Sequence, residues 1–112
     1  MTHHKRLLNK HEKELLDILR ENIFPEYQDM RLSFPDYVLS LDDGKMGSIR
    51  FVYECEPKNC NIIAISEYQF DDTDNIPVLA TLYAYGDGNL LYELAVWKSD
   101  FSRLLSYPIK QA

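Results

Sequence analysis

The chain has 112 residues, 46% hydrophobic and 27% charged, a balance expected of one folded domain with a single core and not of a disordered or membrane-spanning chain. Its 18 Asp and Glu outnumber its 12 Lys and Arg for a formal net charge of -6, which argues against nucleic-acid binding, where phosphate neutralisation needs a basic face. No apolar run reaches the about 18 residues of a membrane helix, and the leading MTHHKRLLNKHEKELL meets charge too early for a secretory leader, so a cytoplasmic location is expected.

Asn9 followed three residues later by Glu12 has the form of a helix start, the asparagine accepting from a free N–H and the glutamate reaching back. Leu15, Ile18, Leu19 and Ile23 recur at helical spacing, which predicts a helix from Lys10 to Asn22 that Pro25 brings to an end. FPEYQDMRLSFP reads as a connector. After Pro35 the pattern turns to β-rich runs at Tyr37 to Leu41, Ser48 to Glu54, Asn61 to Phe70, Pro77 to Tyr85 and Leu90 to Trp97. DDGKMG, CEPKN, DDTDNI and GDGN separate them. The expected fold is α+β: an N-terminal amphipathic helix packed on a roughly five-stranded antiparallel meander sheet, one domain over residues 1–112. SDFSRLLSYPI is expected to form a short C-terminal helical turn, capped by Ser99 or Asp100 and packed through Leu104 and Leu105.

Strands that alternate up and down in chain order would bring DDGKMG, DDTDNI and Lys98 to Asp100 to one end of the sheet. Asp42, Asp43, Asp71, Asp72, Asp74 and Asp100 would collect there. Residues 67–100 hold seven carboxylates against Lys98 alone, so the whole net charge of -6 resides in that segment.

The chemistry-bearing residues do not assemble into a reaction. Asp72, Asp74 and Asn75 resemble part of a calcium loop but lack its glycine and its closing glutamate. Ser48 lacks a nucleophile elbow, and paired carboxylates without a cleft are weak grounds for acid–base catalysis. Gly86-Asp87-Gly88-Asn89 suits a tight hairpin better than a phosphate loop. Cys55 and Cys60 have too long a spacer for a redox or zinc pair and read as two ordinary thiols flanking a turn. His3, His4 and His11 have no evident third ligand, so no metal and no cofactor is expected. Among eight Tyr and one Trp, Tyr53, Tyr83 and Trp97 are expected to pack, leaving Tyr68, Tyr85 and Tyr92 as surface contacts.

Taken together, DDGKMGSIRF, DDTDNIPVLATLY and LLYELAVWKSDFSRL resemble a family of small bacterial α+β proteins. In that family a D-G-x-M-G-S turn precedes a strand, a D-x-D-G turn sits midway and an E-L-D-x-W-K-x-D-F segment closes the domain. The resemblance covers residues 5–105 and departs at Asn75, where the family has glycine, and at Ala95, where it has aspartate. Such proteins are similar to immunity proteins of contact-dependent or polymorphic toxin systems, which are small, acidic, cytoplasmic and without catalysis. The resemblance implies a non-enzymatic protein that neutralises a cognate toxin domain, a nuclease by the logic of charge. Asp71, Asp72 and Asp74, supported by Asp42, Asp43 and Glu67, are the expected contacts to toxin Lys and Arg. The alternative is a small ligand- or metal-binding domain, or a minor enzyme, using the same acidic loops.

Overall fold

The computed structural model describes residues 5–42, 44–55, 57, 61–86 and 90–108. Helix α1 spans Lys10–Glu21 and begins on the capping box expected from the sequence. The Glu12 N–H donates to Asn9 Oδ1 at 2.8 Å, and the Asn9 N–H donates to Glu12 Oε1 at 3.0 Å. Its last turn closes on Asn22, whose side-chain amide donates to Ile18 O at 2.7 Å, before a 3-10 turn at Pro25–Tyr27.

The strands are β1 (Arg6–Leu7), β2 (Tyr37–Ser40), β3 (Ile49–Phe51), β4 (Ile62–Asp71), β5 (Pro77–Tyr85) and β6 (Leu91–Lys98). They form one six-stranded sheet in the order β1-β2-β3-β6-β5-β4, with every pairing antiparallel. The expectation of a five-stranded meander is therefore corrected twice. The extra strand, β1, is two residues long and too short to show a period, so only its pairing with Val38 and Tyr37 reveals it. The meander holds for β4, β5 and β6, but β3 pairs with β6 and not with β4. The side chains give a physical reason. β6 buries Leu91, Leu94 and Val96 and suits the centre, whereas β4 exposes Glu67, Gln69 and Asp71 and carries an irregularity between Ala64 and Ser66, as suits an edge.

One face of the sheet is the core. Val38, Ile49, Phe51, Val78, Ala80, Leu82, Leu94 and Val96 are at most 2% exposed and pack with Leu15, Leu16 and Leu19 of α1. Each large side chain so buried contributes about 1.5–3 kcal/mol relative to leaving it in water. The end of α1 is tied to β4 by the buried hydroxyl of Ser66, which donates to Leu19 O at 2.6 Å. Phe24 N then donates to Ile65 O at 2.8 Å, so the connector leaving the helix covers the middle of the β4 edge.

Among the described residues no C-terminal helix forms. The helix-capping chemistry of Asp100 produces only a single tight turn, in which its carboxylate accepts from the Ser102 N–H and hydroxyl and Phe101 takes φ 62°. Beyond it the backbone is held by the body of the protein: Leu104 N donates to Lys45 O, and Leu105 N and Ser106 N donate to Asp72. The tail's amides thus have partners that a helix would have forfeited.

This tail seats on the DDGKMG hairpin. Gly47 has φ 105°, and a Cβ there would lie 3.2 Å from Tyr107 Oη and 3.3 Å from Leu104 Cδ2. Gly47→Ala is expected to cost about 1–3 kcal/mol from backbone strain and the displaced tail together. Gly44, with φ 75° and only Phe101 O near at 3.9 Å, carries the backbone cost alone, so urea unfolding of the two variants should rank Gly47→Ala as the more damaging.

Candidate functional site

Although strand order differs from expectation, strand direction does not. β2 runs antiparallel to β3, β3 to β6, β6 to β5 and β5 to β4, so the ends of β2, β4 and β6 share one end of the sheet. The DDGKMG loop and the Asp72–Ile76 turn stand there with the chain leaving Lys98 between them.

The centre of this end is a buried ionic network. Lys98 continues the inward phase of Leu94 and Val96, and its side chain is 0% exposed. Its ammonium donates to Asp72 Oδ2 at 2.9 Å, Asp74 Oδ2 at 2.7 Å and Arg103 O at 3.1 Å, which uses all three protons. Asp72 is equally enclosed, and besides Lys98 it accepts from Leu105 N (2.7 Å), Thr73 N (2.7 Å), Ser106 N (3.0 Å) and Ser106 Oγ (3.2 Å). Burial alone would raise its pKa. The N–H groups of Leu105 and Thr73 and the Lys98 ammonium outweigh that and hold the carboxyl well below the usual carboxylate range. Lys98 shows the mirror effect, with burial opposing its charge and the hydrogen bonds to Asp74 and Asp72 raising its pKa above the ordinary value.

Asp72 is thereby corrected as a surface contact: its oxygens fasten the tail. Asp74 is shared, with one oxygen on Lys98, the other accepting from Ile76 N at 3.2 Å, and its side chain 36% exposed. Asn75, where the resembled pattern has glycine, takes φ 64°, a left-handed conformation the two residue types tolerate. The carboxylates left in water are Asp42, Glu67, Asp71 and Asp100, of which the first three form no ion pair with any described residue. Asp43 lies outside the described residues. Glu67 and Asp71 alternate outward from Ser66 and Asp72, so they line the outer face of β4, away from α1, and do not join Asp42 on the far hairpin.

Other candidates have structural duties. Ser48 is buried between β3 and β6, donating to Val96 O at 3.1 Å and accepting from Val96 N at 2.9 Å. Among the described residues no group of three His, Cys, Asp or Glu converges as metal ligands, and the carboxylates of the calcium-like turn converge on an ammonium. Cys55 is exposed, while Cys60, His3, His4 and Asp87-Gly88-Asn89 lie outside the described residues. His11 stacks on Tyr107 at 5.7 Å. A cavity of about 260 Å³ beside the hairpin is lined by Arg6, Asn9, Glu12, Ser40, Lys45 and Tyr107, among others. Its guanidinium is engaged by both oxygens of buried Glu12 (2.8 and 2.7 Å) and by Ser40 Oγ.

Two aromatic expectations reverse. Tyr85 is buried, edge-on to Tyr53 and Tyr92, whereas Trp97 is 47% exposed on the outer face. Trp97 follows from its place on the phase of β6 that points away from α1, whereas Tyr85 shares the outward phase of Leu79 and Tyr83 and is packed there against Tyr53 and Tyr92. A lysine at i+4 from Leu94, on the apolar phase and beside an aspartate-rich turn, is the sequence signal that could have found the buried network.

A family model described as "Domain of unknown function (DUF6984)" matches residues 5–108. No curated protein and no solved structure matches the chain.

Proposed function

Since the chain belongs to the DUF6984 family of domains of unknown function, its activity is read from its surface, and we propose that it is an immunity protein that binds and neutralises a cognate bacterial toxin domain. The toxin is a nuclease whose basic active surface the acidic protein covers in the cytoplasm, without catalysis of its own. One observation carries the reading. The only cation of residues 67–100 is withdrawn into the core against Asp72 and Asp74, while Glu67, Asp71 and Asp100 stay in water. The charge that residues 67–100 themselves present to water is therefore negative, which suits fast steering of a basic partner. Asp42, Asp71 and Glu67 are the proposed contacts, joined by the exposed side of Asp74.

Mixing the protein with the toxin domain encoded beside its gene is expected to give a tight complex whose affinity falls steeply between low and physiological salt. Absence of a complex at low salt overturns the proposal. A complex indifferent to salt points to strand addition on the β4 edge from Glu67 to Asp71 in place of charge recognition.

A further inference from the structure

Among the described residues no helix lies over the outer face of β4, β5 and β6, and its registers place an apolar strip inside an acidic frame. Gln69, Leu79 and Trp97 lie side by side across the three strands; Asp71 pairs with Pro77 at one flank, and Glu67, Thr81 and Ala95 form the next row at the other. Trp97 is 47% and Phe101 67% exposed, and the rings meet edge to face at 5.7 Å. Phe101 holds this position at φ 62°, an unfavourable conformation for a bulky residue, pinned by its N–H on Lys98 O at 2.9 Å and by the Asp100–Ser102 turn. Strain that keeps a phenyl ring in water and edge-on to an exposed indole is the pattern of a preformed contact.

Resting on the immunity reading, we propose that Trp97 and Phe101 are the anchor of the toxin interface, with the partner laying a lysine- or arginine-bearing surface across this face. The charges select that occupant. Glu67, Asp71 and Asp100 rim the strip, three exposed carboxylates against one neighbouring exposed cation, Arg103, two residues beyond Phe101. An arginine can stack on the indole while its guanidinium meets the rim, which joins the aromatic centre of a protein interface to the steering charge around it. A second copy of this chain would bring like-charged rims together, a costly juxtaposition.

The test uses the catalytically inactivated toxin domain encoded beside the gene, titrated against wild type, Trp97→Ala and Phe101→Gly. Trp97 is the single tryptophan, so its emission should shift to the blue on binding to wild type. Each variant is expected to weaken binding by about thirtyfold, as hot-spot truncations do. Phe101→Gly also removes the strained side chain, so its unfolding midpoint should equal or exceed wild type, which separates lost contact from lost fold. If the toxin binds wild type and both variants equally, the anchor is overturned and the immunity reading stands. If wild type binds no toxin at low salt, the immunity reading falls and this interface with it. A wild-type dimer in sedimentation that Trp97→Ala abolishes would name a second copy as the occupant and also overturn the assignment.

Discussion

Asp72→Ala is expected to lower the unfolding free energy by about 3 kcal/mol or more, the scale found when one member of a buried ion pair is removed. The substitution deletes five hydrogen bonds at once and leaves the Lys98 ammonium enclosed with Asp74 as its remaining anionic partner. Its signature is local as well as global: the Leu105 and Ser106 amides lose their acceptor, so their hydrogen exchange should accelerate before the sheet opens. The same pair sets a pH window. Asp72 has a folded pKa below its ordinary 3.8, so its contribution is complete above about pH 4 and is lost as pH falls toward the depressed value. Lys98 has a folded pKa above its ordinary 10.5, so its contribution is complete below that and lost as pH rises through the elevated value. Urea unfolding of wild type from pH 5 to pH 2 should show an acid loss that the Asp72→Ala variant largely lacks. Equal acid slopes would assign the loss to other carboxylates.

The combined variant Asp42→Asn, Glu67→Gln and Asp71→Asn is expected to act on association and not on folding. All three side chains are exposed and without an ion pair among the described residues, so stability should move by no more than about 0.5 kcal/mol per site. Removing three charges from the approaching surface should slow toxin association about tenfold or more at low ionic strength, with little change in dissociation. The difference should shrink as salt approaches the range where the screening length is about 8–10 Å. Stopped-flow association at two salt concentrations tests this. A variant that associates as fast as wild type at low salt would remove the steering role from these carboxylates.

What the sequence could reveal follows from where each signal resides. The α1 start was legible because the Asn9–Glu12 box is local, and the strands were legible because inward residues such as Leu94 and Val96 repeat with period two. Which strand neighbours which is a long-range property, and no local pattern says that β3 lies against β6. The shared end survived that error because direction alternates along either path. The burial of Asp72 is hidden for a related reason: its partners Lys98, Leu105 and Ser106 are 26, 33 and 34 residues away, and composition counts an aspartate as surface charge wherever it sits. Phe101 shows the converse, since the helix signal in SDFSRLL is overridden by acceptors elsewhere in the fold, the Lys45 carbonyl and the Asp72 carboxylate.

The place of β6 also bears on how the chain comes off the ribosome. Of the six described strands, β6 is synthesised last, and it is the one that joins the β2–β3 hairpin to the β4–β5 hairpin. Until it emerges, those two halves share no ladder, and β3 and β5 each present an open, apolar edge to the cell. The interval between the synthesis of β5 and that of β6 is thus the one in which the sheet is most exposed to misassociation and to holding chaperones. Insertion of β6, followed by Lys98 drawing the tail down onto Asp72, converts two separate hairpins into one cooperative sheet.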